Sequence, residues 1–199
     1  MIGFIFALRK HDYDIHSTVF NLFKALKIKD FTPNHPETKP IIFHVNGDHI
    51  ICRTHAQVAG IPVKEEHFDV TSGDFIEGTV TLPRDVPKLT MTKDQFNDFL
   101  KKNGRKPKYT ESHKYTRLTD EQIPEYALNI LVKAGLEIQE IKFSDGAYHL
   151  VSGRGKSLKA VDVHFKAQIK EFPLFEQAWF NGIGRNKTYG FGMLRAVKL

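Results

Sequence analysis

Apolar and polar positions along the chain fall into short runs with two periods, one suited to strands and one to helices. Ile2 to Leu8 is almost continuously apolar and predicts a buried strand. Ile15, Val19, Leu22, Phe23 and Leu26 then recur at helical spacing, and Asp12 or Asp14 can cap the helix they predict. A proline-rich loop at 30–40 follows. Ile41 to Val45 and His49 to Arg53 are apolar runs around Asn46-Gly47-Asp48, a hairpin signal. A less regular stretch leads to a strand at about 74–82, where Ile76, Val80 and Leu82 share a face.

The second part of the chain repeats these elements in a related order, without sequence repetition. Thr92-Lys93-Asp94-Gln95 fits a capping box opening a helix with Phe96, Phe99 and Leu100. Another helix starts within 119–124 and ends before Gly135, a residue suited to the position just past a helix end. Leu136 to Phe143 and Tyr148 to Val151 predict strands around Ser144-Asp145-Gly146. Val161, Val163, Phe165, Ala167 and Ile169 alternate strictly, as in a half-buried strand. Pro173 opens a last helix bearing Leu174, Phe175, Ala178 and Trp179, and Phe191 to Val197 predicts a final strand. Strand, helix, hairpin, linker and strand make up most of a ferredoxin-like βαββαβ unit. The expected fold is therefore α+β, with two tandem ferredoxin-like halves at 1–83 and 84–199 built on antiparallel sheets.

Composition narrows the partners. The chain has 199 residues, 41% of them hydrophobic, which is enough for a substantial core. Its net charge of +6 favours an anionic partner. Cys52 is the only cysteine, so an internal disulfide and a cysteine zinc site are excluded. The apolar start MIGFIFALRK lacks the basic leader and small-residue cleavage site of a signal peptide. No apolar run approaches the roughly 18 residues of a membrane span. A soluble, cytoplasmic protein with no membrane partner is expected.

The tail from Asn181 to Leu199, NGIGRNKTYGFGMLRAVKL, carries Gly182, Gly184, Gly190 and Gly192 around Arg185 and Lys187 and contains no acid. Glycines let backbone approach a ligand closely, and backbone N–H groups beside cations suit a phosphate chain. It is not a dinucleotide fingerprint, because Lys187 stands at the third glycine position and too little chain follows for a βαβ unit. Nor is Gly155-Lys156-Ser157 a Walker loop, because Leu150 stands where the first glycine belongs. Residues 101–117 hold seven Lys or Arg against one acid, Glu111, with Tyr109 and Tyr115 among them; Arg105, Lys106 and Lys108 are its candidate RNA contacts. Residues 152–159, SGRGKSLK, form a third basic segment with Arg154, Lys156 and Lys159. Three such segments point to RNA rather than to a DNA groove reader, since no helix-turn-helix, zinc-finger or basic-zipper pattern is present.

RNA carries its own nucleophile, the 2′-OH. Cleavage then needs a base, an acid for the leaving 5′-oxygen and positive charge for the phosphate. Tyr13 and His16 lie three residues apart near a helix start and could supply two of these groups, although such a pair more commonly serves packing or a surface hydrogen bond. There is no HExxH, no DxD cluster and no metal spacing among the other nine histidines, so no metal or other cofactor is implied.

GIGRNKTYGFGML resembles the C-terminal glycine-rich signature of the CRISPR-associated RAMP proteins. Tyr13-Asp14-Ile15-His16, with the helix ending Asn21-Leu22-Phe23, resembles the active-site helix of the CasE family within them. Ile42-Phe43-His44-Val45 resembles that family's next strand, and Ser152 to Ser157 its C-terminal half. The resemblance spans nearly the whole chain and is poorest at 84–117. It implies RAMP- or RRM-like halves and metal-independent cleavage of CRISPR precursor RNA at the base of the repeat hairpin. The products would be a 2′,3′-cyclic phosphate and a 5′-hydroxyl. It also implies retention of the product within a Cascade-like complex of other subunits, in a type I-E system or a relative such as type IV. Tyr13 and His16 carry over as catalytic, Lys156 or Arg154 as a third cation, and Arg185 and Lys187 as RNA-backbone contacts. The alternative within the same superfamily is a non-catalytic RNA-binding subunit of a CRISPR effector complex.

Overall fold

The computed structural model describes residues 1–9, 15–25, 41–58, 60–151 and 156–199. The expected strand forms β1 (Ile2–Arg9), and the amphipathic run forms α1 (Ile15–Ala25), with Ile15 and Val19 buried beneath it. The proline-rich loop and the expected caps Asp12 and Asp14 lie outside the described residues. β2 (Ile41–Asn46) and β3 (His49–Thr54) pair in register, Asn46 opposite His49. The turn within Asn46-Gly47-Asp48 is thus the pair Gly47-Asp48. Only Gly47 has positive φ, at 56°, the pattern of a type II′ turn, which asks for glycine at its first central position.

A short strand not foreseen from the sequence, β4 (Lys64–His67), pairs with β1. Its four residues, KEEH, carry no apolar signal because they lie on a sheet edge and stay largely exposed. The first sheet has the order β2-β3-β1-β4, the ferredoxin order, with non-helical chain in place of its second helix.

The strand expected at 74–82 is β5 (Phe75–Pro83), but it does not complete the first sheet. Its buried face, Ile76, Val80 and Leu82, belongs to a second core, and β5 pairs with β9 (Lys156–Ile169) and β10 (Arg195–Lys198). The change of sheet therefore falls between His67 and Phe75, ahead of position 83. With β8 (Leu136–Val151), α4 (Ile123–Lys133) and α5 (Phe172–Asn181), the second sheet has the order β10-β5-β9-β8, again a ferredoxin arrangement. Ala127 and Leu131 of α4 and Phe175, Ala178 and Trp179 of α5 fill its core.

Ser144-Asp145-Gly146 does not interrupt β8. It lies within one long strand that shifts register between Gly146 and His149. The final strand is shorter than expected, since Phe191 to Leu194 are buried but not in strand.

Between β5 and α4 an arm is inserted. β6 (Asp85–Leu89) pairs with β7 (His113–Arg117), and α2 (Lys93–Asn103) and α3 (Tyr109–Ser112) lie between them. The Thr92–Gln95 capping box is present, and Gly104 closes α2 in the left-handed region with φ 64°. No residue of α2 is buried, so Phe96, Phe99 and Leu100 are not core residues. Residues 101–117, read as a basic loop, divide among the end of α2, a turn, α3 and β7.

Candidate nucleic-acid interface

The glycine-rich segment leaves α5 and folds back on itself. Ile183 N–H donates to Gly192 O (2.8 Å), and Gly192 N–H donates to Thr81 O of β5 (2.9 Å). A side chain is impossible at Gly192, where a Cβ would lie 2.0 Å from Ile183 O and φ is 81°. Gly182 is constrained by its φ of 67°, and its Cβ position would fall 2.6 Å from the end of the Ile42 side chain and 3.0 Å from Gly192 O. Ile183, Phe191, Met193 and Leu194 are buried and anchor the loop's two ends, while residues 184–189 form its tip.

The tip reaches the first half of the molecule. A 3-10 turn, Lys187–Tyr189, rests against β2 and α1, and Gly190 approaches Phe43 and Val45 of β2. α1 also lies against β8. His16, the second residue of α1, is therefore carried on a helix that touches both the glycine-rich loop and the strand leading to the 152–159 segment. Tyr13 and Arg154 lie outside the described residues. Lys156 opens β9 opposite Val151.

Among the described residues, no acidic side chain is paired with the charges in the tip. Arg185 is exposed. Lys187 is half-buried, and burial alone pulls its ammonium below the usual lysine range. Tyr126 of α4 lies within range of the Arg185 charge, but burial outweighs that charge and pushes its phenol up to about 12.

Arg53 of β3 holds the loop's two ends, a role its strand's apolar pattern did not announce. It is 2% exposed. Its Nη1 donates to Leu194 O (2.7 Å) and Trp179 O (3.4 Å), carbonyls on either side of the loop. Nε and Nη2 donate to the two carboxylate oxygens of Glu66 on β4 (2.5 and 2.8 Å), and the guanidinium stacks 3.7 Å from the Trp179 ring centroid. The same boundary contains a cleft of about 510 Å³ between the sheets, lined in part by Arg53, His44 and Arg195. There Arg195 Nη1 lies 2.9 Å from His44 Nε2. Because arginine only donates, His44 Nε2 is the acceptor and the imidazole is neutral in this contact.

The other expected RNA contacts are dispersed. Arg105 makes a two-pronged pair with Glu111 (2.9 and 3.0 Å) and lies 5.1 Å from the Phe99 ring centroid. The Arg105 side chain and the Lys108 backbone N–H together hold the Glu111 carboxyl down to about 2. Lys106 is exposed and Lys108 sits beside Arg105 on the same arm. Lys159 marks the joint of arm and sheet, where its N–H donates to Asp85 Oδ2 (3.0 Å) and its carbonyl accepts from Arg84 N–H (2.8 Å). Among the described residues, no group of three or more His, Cys, Asp or Glu is placed to hold a metal ion.

Two ferredoxin-like halves joined through a glycine-rich C-terminal loop define the class of the fold. No family model matches the chain, and no curated protein matches it. Among solved structures it is similar over 98% of both chains to Thermus thermophilus Cse3 bound to an RNA representing a pre-cleavage complex, with TM-score 0.66 and 12% identity. It is similar over the whole of both chains to the CRISPR-associated protein Cas6e from Escherichia coli K-12, with TM-score 0.64 and 15% identity. A chain of a CRISPR RNA-guided surveillance complex aligns over 98% of this one at TM-score 0.52 and 15% identity. The expected resemblance to CasE is borne out at the level of the fold. No helix among the described residues is long and apolar enough to cross a membrane.

Proposed function

We propose that this protein is a metal-independent endoribonuclease that cleaves CRISPR precursor RNA at the base of its repeat hairpin and keeps the product bound. The observation that carries the proposal is the placement of α1, with His16 on it, against the cationic turn Lys187–Tyr189 of the glycine-rich loop. The fold shared with RNA-bound Cse3 supports it across the whole chain.

The first half would supply the catalytic helix and the second half the RNA clamp. Tyr13 and His16 act on the protons. One takes the proton of the 2′-OH as that oxygen attacks the adjacent phosphorus; the other gives a proton to the departing 5′-oxygen. The new 2′-O–P bond replaces the 5′-O–P bond, leaving a 2′,3′-cyclic phosphate and a 5′-hydroxyl. Lys156 or Arg154 offsets charge on the phosphate in flight, while Arg185, Lys187 and the backbone at Gly182 and Gly184 hold the strand. Arg105, Lys106, Lys108 and Lys159 add contacts along the hairpin, although Arg105 must share its charge with Glu111. The surveillance-complex likeness supports assembly with other CRISPR subunits in the cytoplasm.

The test is cleavage of the repeat hairpin RNA in EDTA, beside the same RNA with a single 2′-deoxy at the cut site. Cleavage of the first alone is expected, and His16→Ala should abolish cleavage while leaving hairpin binding largely intact. Equal cleavage by His16→Ala would remove His16 from the mechanism. Tight binding without cleavage by the wild type would make the protein a non-catalytic RNA-binding subunit.

A further inference from the structure

Two buried polar groups beside the glycine-rich loop have no hydrogen-bond partner among the described residues. The Tyr126 hydroxyl on α4 and the Asn186 Nδ2 in the loop tip are both enclosed and unsatisfied. Buried donors are rarely left so, because each sacrifices its hydration without a replacement. Their surroundings are arranged in common. Ile130, one turn after Tyr126 on α4, supports the loop at Gly184, where a Cβ would lie 3.4 Å from its Cδ1. Tyr126 lies within range of the charge of Arg185, the residue before Asn186. Asn186 is held at φ 59°, the only non-glycine residue with positive φ among the described residues. Lys187 follows, half-buried and with no carboxylate paired to it among the described residues. Each group here can donate. An acceptor-rich anion would satisfy them together, and a phosphodiester has two unbridged oxygens to offer.

Building on the RNA-cleaving function above, we propose that the Tyr126 hydroxyl and the Asn186 side-chain amide are donors to the RNA backbone phosphates that cross the glycine-rich loop, beside Arg185 and Lys187. Tyr126 thereby makes α4, on the second half, part of the RNA site. The phenol remains neutral and protonated at working pH, so it serves as a donor throughout.

The experiment uses the full chain and a labelled hairpin RNA of the repeat in the neighbouring CRISPR array. Affinity is measured by fluorescence anisotropy over a salt series, and thermal unfolding is measured without RNA. Tyr126→Phe deletes one oxygen that has no partner among the described residues, and Asn186→Gly deletes the amide while keeping the backbone conformation. Each is expected to leave the unfolding temperature unchanged or raised, yet to weaken RNA binding about tenfold or more, the effect of losing a hydrogen bond to a charged group. The salt slope should hold, because neither variant removes a charge. Lys187→Ala should instead make the slope shallower by about one phosphate contact. Wild-type affinity in both Tyr126→Phe and Asn186→Gly would overturn the assignment while leaving the RNA function standing. Affinity lost only in step with a lower unfolding temperature would also overturn it, as a structural effect. Absence of wild-type binding would remove the RNA function itself.

Discussion

Truncating Arg53 to alanine cuts every described link between β3 and the flanks of the glycine-rich loop at once. It removes two hydrogen bonds to the carbonyls of Trp179 and Leu194, the two-pronged pair with Glu66 and the stack on Trp179. Breaking a buried ion pair from one side costs about 3–5 kcal/mol, because the surviving charge is left uncompensated. Glu66 is 20% exposed and recovers some hydration, which places the expected loss near the lower end, about 3 kcal/mol. For a chain of this size that corresponds to a fall of roughly 6–12 °C in Tm. The assay is urea unfolding followed by tryptophan fluorescence, with Trp179, the chain's single tryptophan, reporting at the site itself. A double variant, Arg53→Met with Glu66→Leu, separates stability from position. Replacing a buried pair by apolar side chains is often neutral or stabilising, so most of the lost stability should return. The loop would still lack its two Arg53 hydrogen bonds, so kcat for RNA cleavage should stay low while KM changes little. An Arg53→Ala protein within about 0.5 kcal/mol of wild type, the usual scatter of an inert surface change, would refute the clamp. Full kcat in the stable double variant would refute the claim that the clamp positions the loop.

Gly192→Ala places a Cβ 2.0 Å from Ile183 O, so the loop closure between Ile183 and Gly192 must open; RNA affinity and Tm should both fall, and an unchanged pair of values would contradict the loop geometry. In an NMR titration the Glu111 carboxyl should titrate near 2, against an ordinary 4.5. Because the folded value is the lower one, the stabilisation it brings is present above about pH 4.5 and disappears as pH falls through about 2; Arg105→Gln should return the midpoint toward 4.5. The Tyr126 phenol is raised, so its sign is reversed: stability is intact below about pH 10 and declines as pH rises toward 12, readable by ultraviolet absorbance, and Tyr126→Phe should remove that decline.

The elements most legible in the sequence were those whose pattern reports burial on one side. β9 alternates from Val161 to Ile169 because one face packs on α4 and α5, and α2 declares its start through the Thr92–Gln95 box even though nothing buries it. β4, β6 and β7 were not legible, since edge strands and a surface ribbon expose both faces and have no apolar period to show. β5 was found as a strand but placed in the wrong sheet, because alternation says that a face is buried without saying against what. The glycine-rich loop was legible because its glycines answer to backbone positions, as at Gly182 and Gly192, that no other residue fills. Its neighbours were not. Arg53 sits in the run HIICRT, where a lone arginine reads as the end of a strand, and Tyr126 sits in a helix where a tyrosine reads as core. Both acquire meaning only when chain far away in sequence is brought beside them.

The joint between the halves differs in kind from the two cores it connects. Each half has its own apolar core, and apolar burial alone would leave small sliding at the joint unopposed, since it has no preferred direction. Arg53 does not tolerate it, because a planar guanidinium satisfies Glu66 and two backbone carbonyls in one geometry only. The loop is encoded by the second half, yet its ends are tied to β3 and its tip rests on β2 and α1, all in the first. Its position is thus set relative to the helix that carries His16. Fixing the loop against that helix depends more on one directional polar joint than on a larger apolar one. The demand falls on few residues, while the sheets ask only for a pattern.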